Sequence, residues 1–195
     1  YERIFYARRP ILEIAVKNFL ANQAFQADFQ NFEKNNHLWL DDFAEFMAIK
    51  EHFGNQALQK WDDKKAVARD PSALEKYRSM LAEQIQYFKV TQYFFFKQWT
   101  ELKNYANQKG IQIIGDMPIY VAADSVEVWT KPELFQLDEE RNPLVVAGVP
   151  ADQFSATGQL WGNPLYDWDY HKKTHYDWWM RRIKGQLNMV DYIRV

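Results

Sequence analysis

Cysteine is absent from all 195 residues. That excludes disulfides, thiolate nucleophiles and cysteine-ligated zinc together, and it fits a reducing compartment such as the cytoplasm. No apolar run approaches the length a bilayer crossing needs, so no membrane partner is expected. Net charge is only −2, and the basic dyads Arg8-Arg9, Lys64-Lys65 and Arg181-Arg182 never extend into a stripe. Nucleic-acid binding is therefore not expected either. Neither a Walker loop nor a dinucleotide fingerprint nor a Gly-x-Ser-x-Gly elbow occurs, and no cofactor is implied. Breakers are scarce in the first half: of seven glycines and seven prolines, only Gly54, Pro10 and Pro71 precede residue 110.

What is present divides at that point. Before residue 110 the chain reads as helix. Pro10 suits a first helical turn, followed by "ILEIAVKNFLANQAFQADF" with apolar residues at mixed spacings of 3 and 4. A second helix, "LDDFAEFMAIKEHFG", is expected to set Asp41, Asp42 and Glu45 near its positive end and to stop at Gly54. Asp70-Pro71 reads as a cap and a first-turn proline. A stripe of Ile85, Phe88, Gln92, Phe95, Trp99, Leu102 and Tyr105 is expected to face a core, with Gly110 ending the run.

After Gly110 the pattern changes to strand and loop. "IQIIGDMPIYV" opens with a short β-branched run, and "LFQLDEERNPLVVAG" resembles a hairpin. Residues 150–170 read as loop, residues 171–188 as an amphipathic helix with Tyr176, Trp179, Ile183 and Leu187 on one face, and "MVDYIRV" as a second strand. Two strand-helix units suit an α/β parallel barrel or a doubly wound sheet, with chemistry at the strands' C-terminal ends. Asp116, directly after "IQIIG", stands at such an end, where it either serves a site or caps the next turn. His171 and His175 share helical spacing, but Lys172 and Lys173 between them disfavour a divalent ion. A solvated helix start is expected there, and no metal site.

The stretch "DQFSATGQLWGNPLYDWDY", residues 152–170, combines two glycines and a proline with three Asp and five aromatics. Sugar rings offer apolar C–H faces that lie on Trp or Tyr and rim hydroxyls that need fixed polar partners, so this composition suits glycan binding. The plainer alternative is a loop whose aromatics plug a barrel mouth.

"GDMPIYVAADSVEVW", "PELFQLDEERNPLVVAGVPADQFSATGQLWGNPLYDW", "WLDDFAEFMAIKEHFG" and the terminal "VDYIRV" resemble the 4-α-glucanotransferases known as amylomaltases or disproportionating enzymes (glycoside hydrolase family 77). The resemblance implies part of a TIM (β/α)8 barrel of the α-amylase type with a largely helical insertion subdomain. Residues 1–109 would be that insertion. Residues 110–195 would hold barrel strands three (111–115) and four (190–195) with the active-site loop. Carried over position by position, Asp116 would support the sugar at the cleavage point. Asp152, Phe154 and Gln159 would belong to the loop over the cleft, Trp161 would be its acceptor platform, and Asn163 and Pro164 its adjoining turn. Arg194 matches the Arg two residues before the nucleophilic Asp. The implied partners are maltooligosaccharides and α-1,4-glucans, with no cofactor. The chain stops at Val195, so the implied nucleophile and acid/base Glu are not in it. Tyr1 and the turnless final strand suggest cuts through a longer protein, and the 195 residues alone are expected to be inactive. A non-catalytic glycan-binding module and a helical interaction domain are the competing readings.

Overall fold

The structure, a computed structural model, describes residues 2–195. Its first part is helical: α1 (Glu2–Ala21), α2 (Gln26–His52), α3 (Lys64–Val67), α4 (Pro71–Met80) and α5 (Ala82–Gln108). Strand β1 (Ile114–Asp116), helix α6 (Val126–Thr130), strands β2 (Val146–Val149) and β3 (Gln159–Pro164), helices α7 (Trp168–Lys173) and α8 (Asp177–Met189), and strand β4 (Tyr192–Arg194) follow.

Several helix boundaries differ from the sequence reading. Pro10 lies inside α1 rather than in its first turn. The expected run from Pro10 to Phe29 breaks at Asn22, whose side chain accepts from Ala24 N–H and starts a single 3₁₀ turn. The Gln26 amide closes α1 by donating to the Phe19 and Leu20 carbonyls. Helix α2 begins fourteen residues before Leu40, so Asp41, Asp42 and Glu45 sit mid-helix. Their charges serve tertiary pairs instead: Asp41 with Lys89 (2.5 Å), Asp42 with Arg69 (2.8 Å) and Glu45 with Arg78 (2.7 Å).

Two stop-and-start signals read as expected. Gly54, at φ +66°, donates to Glu51 O while Asn55 donates to Lys50 O, the paired bonds of a Schellman stop. Asp70 accepts from Ser72 and Ala73 N–H ahead of Pro71.

The α5 stripe meets its expectation only in part. Of the stripe, Phe88 is buried and Ile85, Gln92 and Trp99 are half-buried, whereas Phe95, Leu102 and Tyr105 are exposed; Tyr87, Val90 and Tyr93, outside the stripe, supply the other buried positions of α5. Steps of 4, 3, 4, 3 and 3 from Phe88 to Tyr105 turn the stripe by about 100° around a helix of 3.6 residues per turn. One face cannot hold it. The lower half of α5 is tied down by polar bonds: Trp99 Nε1–H donates to Met189 O (2.7 Å), and Lys103 lies 3.6 Å from Asp191.

Asp191 completes that junction by accepting from Ile113 N–H and the Asn107 amide. It thereby holds the end of α5 and the starts of β1 and β4 together. The two strands pair in parallel, Ile114 with Tyr192, Gly115 with Ile193 and Asp116 with Arg194. Gly115 has no room for a side chain, since a Cβ there would stand 2.8 Å from Val190 Cγ1. One hydrophobic core runs from Val16 through Trp61 and Trp129 to Trp178, so it spans both the helical part and the part with strands.

Candidate functional site

The residues expected to form a site gather around the C-terminal ends of β1 and β4 and on the arm formed by β2 and β3. Parallel register brings Asp116 beside Arg194. The guanidinium then forms a two-pronged pair: Nε donates to Oδ1 at 2.7 Å and Nη2 to Oδ2 at 2.5 Å. Asp116 is thus not a turn cap. Hydrogen bonding to Arg194 holds its carboxyl below the ordinary carboxylate value, and the same bonds push Arg194 up. Both side chains remain open to solvent, 62% and 75% exposed. The pair is therefore a charged feature presented to the surface, and it adds little to folding stability.

The stretch 150–170 is more regular than a loop. Strands β2 and β3 pair antiparallel, with Val149 opposite Gln159 and Gly148 opposite Leu160. Where its strands meet the tip, this arm admits no side chain at two positions. A Cβ on Gly148 would meet Gln159 O at 2.5 Å, and one on Gly158, already at φ +76°, would meet Val149 O at 2.5 Å. Further along, Val146 pairs with Pro164, so two steps on β2 face four on β3. Gly162, at φ +77°, lies within this bulge. Bulges re-aim the side chains around them. Here Trp161 is left 47% exposed, while the Asn163 amide turns in to donate to Val121 O at 2.8 Å.

Each remaining arm residue has a definite local role. Asp152 Oδ1 accepts from Phe154 and Ser155 N–H and so shapes the tip. That turn presents Phe154 at 84% exposure. Gln159 and Trp161 lie two apart on one face of β3, and the indole N–H donates to Gln159 Oε1 at 2.9 Å, which fixes the ring. Only part of the expected hairpin at 134–148 forms. A bridge joins Leu137 to Pro143 around an Asp138 turn, but Val146–Val149 pairs with β3 instead.

Beneath Trp161 lies a row of aromatics outside the expected site list. Tyr120 packs on Trp161 (6.2 Å) and stacks on Tyr166 (6.1 Å, 12° between planes), and Tyr166 in turn packs on Trp168, Trp178 and Trp179. The expected helix 171–188 is two helices, parted by His175 and Tyr176 at positive φ. Of its expected apolar face, Tyr176 and Leu187 are exposed, and Trp178 supplies the buried contact.

His171 is fully buried, contrary to the solvated helix start expected, because α7 packs it among Tyr166, Trp168 and Trp178. Its Nε2 lies 3.2 Å from Leu134 O, and Nδ1 has no partner among the described residues. Burial lowers its pKa from 6.5. The folded state thus keeps His171 neutral while the unfolded chain takes up a proton, so stability falls as pH drops below about 6.5. We expect the thermal midpoint to decline between pH 7 and 5.5. In His171→Gln, which starts lower, this His171 contribution to the decline should be lost; an unchanged slope would remove His171 as its source.

Among the described residues no helix is long and apolar enough to cross a membrane, and no three His, Asp or Glu side chains converge as metal ligands would.

The sequence model of the 4-alpha-glucanotransferase family matches residues 1–195. The 4-alpha-glucanotransferase of Streptococcus pneumoniae serotype 4 is 51% identical over 195 residues, covering 100% of this chain and 38% of that protein. That of Clostridium butyricum is 45% identical over 196 residues, covering 100% and 40%. The solved amylomaltase from Streptococcus agalactiae in complex with acarbose is 61% identical with a TM-score of 0.96, covering 100% of this chain and 39% of that one. Amylomaltase from Corynebacterium glutamicum, at 18% identity and a TM-score of 0.60 over 89% of this chain and 22% of that one, shows the shared fold alone. The chain spans about two fifths of the length of these first relatives. Its fold is α/β, with β1 and β4 as neighbouring parallel strands in part of a TIM-type barrel. On the strength of a match that runs from its first residue to its last, the chain belongs to the 4-alpha-glucanotransferase family.

Proposed function

We propose that these residues are part of an enzyme that transfers α-1,4-glucan segments between maltooligosaccharides or to glucose by a retaining mechanism. The observation that carries the reading is the Asp116–Arg194 pair at the C-terminal ends of neighbouring parallel strands, the side of a barrel where chemistry collects. The matched proteins' names support it, as does a 61% identical amylomaltase solved with acarbose. Residues 1–109 are the helical insertion in this reading, and 110–195 the barrel segment.

A retaining mechanism needs two carboxyl groups about 5–5.5 Å apart. One attacks the anomeric carbon while the other protonates the departing 4-oxygen. The second then takes the proton of an acceptor 4-hydroxyl as that oxygen displaces the enzyme carboxylate. The family pattern assigns both groups to positions outside these 195 residues. Within them, Arg194 supplies a fixed positive charge beside the reacting centre, and Asp116, held ionised, accepts from sugar hydroxyls. Trp161 seats the acceptor ring. Asp152, Phe154, Gln159 and Asn163 build the arm that excludes water from the intermediate. Such a protein works in the cytoplasm, without metal or cofactor.

The test is acceptor use in an enzyme of family length. Trp161→Ala should raise the KM for glucose about tenfold, the worth of a lost ring-stacking contact, while donor cleavage by water changes less than threefold. Equal losses in both would count against an acceptor platform.

A further inference from the structure

Three side chains, one on α8, one on β3 and one between β3 and α7, donate to carbonyls of one short segment, residues 118–121, just after Asp116 and Met117. Arg182 Nη2, on α8, donates to Pro118 O at 2.9 Å. The Tyr166 hydroxyl donates to Ile119 O at 2.8 Å. The Asn163 amide donates to Val121 O at 2.8 Å. Upstream, Met117 N–H bonds to Arg194 O, so the segment leaves the parallel ladder already fixed.

Residue 120 is held twice. The carbonyl before it is taken by the Tyr166 hydroxyl, and its ring is stacked on the Tyr166 ring. Trp161 in turn packs against Tyr120, its ring tilted by 56°. Tyr166 is only 2% exposed and cannot reach a substrate. It touches the segment leading from Asp116 and the ring under Trp161 at once.

We propose that Tyr166 is a positioning residue, with Arg182 as its support, that sets the spacing between the Asp116–Arg194 pair and the Trp161 face. Its consequence for catalysis rests on the reading of Trp161 as an acceptor platform. A charged sugar site at one end and an aromatic plate at the other work together only at a fixed distance, since misplacement by about 1 Å can cost a hundredfold in rate. Burial pushes the Tyr166 hydroxyl up to about 12, so it stays a donor throughout the neutral range.

Tyr166→Phe keeps every ring contact and removes only the donor. Ile119 itself is 56% exposed, so water can reach its carbonyl in place of the lost bond and the variant should fold. In an enzyme of family length, we expect a threefold to tenfold rise in KM for glucose, with kcat for donor cleavage within twofold of the parent. In a Trp161→Ala background, the same change should have less than half its effect on a logarithmic scale, because it acts through the missing ring. Full additivity, or an equal fall in donor cleavage, would overturn the proposal.

A second readout does not depend on activity. In protein carrying 5-fluorotryptophan, the Trp161 resonance, assigned by its loss in Trp161→Phe, should shift or narrow in Tyr166→Phe. An unmoved resonance would sink the positioning role. If Trp161→Ala leaves acceptor use unchanged, the platform reading fails by itself, and the resonance alone decides the positioning claim. Should Tyr166→Phe not fold, Arg182→Met carries both measurements, with the same direction and a smaller shift expected.

Discussion

Arg194→Met is expected to lower the rate of glucan transfer by about a hundredfold to a thousandfold, the usual cost of removing one preorganised charge from a reaction centre. The unfolding midpoint should hardly move, because both members of the Asp116–Arg194 pair are mostly exposed. Two further results would follow. Without the guanidinium, the Asp116 carboxyl returns upward toward its ordinary value, so the acid limb of the activity profile should move to higher pH. Arg194→Lys should recover only part of the rate, since a lysine restores the charge but not the fork that binds both carboxylate oxygens. Activity of Arg194→Met within threefold of the parent would remove Arg194 from the mechanism.

Trp129→Ala should destabilise the chain by about 4 kcal/mol, the range for truncating a fully buried aromatic. Trp129 packs against Phe46 and Trp61, its indole N–H donates to Ala66 O at 2.9 Å, and the Arg69 guanidinium lies 4.1 Å above its ring. The substitution opens a cavity and strands a buried carbonyl together. Trp129→Phe should recover most of the packing but not the hydrogen bond. Denaturant unfolding reads both. A loss below about 1.5 kcal/mol for the alanine variant would mean that the site collapses around the gap.

Local signals were legible where one residue type satisfies one backbone need. Gly54, Gly110 and Asp70-Pro71 act as stop, stop and start because positive φ and unpaired N–H groups leave few alternatives. The beginnings of α1 and α2 were misread because a mid-helix proline and mid-helix acids imitate helix starts. Only their distant cations, Lys89, Arg69 and Arg78, reveal the tertiary use. Strand β3 looks like loop in the sequence because its glycine and proline, here bulge and terminus, are loop-forming residues. A helix start at Asp167, which caps Tyr170 N–H, could have been read from its residue type, but six residues show too little periodicity.

The site divides in the same way. Asp116, Trp161 and Arg194, to which the proposed function gives the chemistry, are visible as residue types. Tyr166, Arg182 and Tyr120 enter the positioning proposal through where their atoms reach, which no spacing in the chain records. The two lysines after His171 point to a solvated helix start, although its own side chain turns inward.

The two glycines where the β2–β3 arm meets its tip have a consequence for redesign. Gly148 and Gly158 bracket nine residues, 149–157, and neither glycine tolerates a Cβ. A replacement of residues 149–157 that keeps both glycines therefore leaves the close backbone contacts at its two ends intact. Trp161 lies in the bulge of β3, outside those nine residues, so on the proposed reading a change of tip alters what covers the cleft and leaves the backbone that aims the acceptor platform in place.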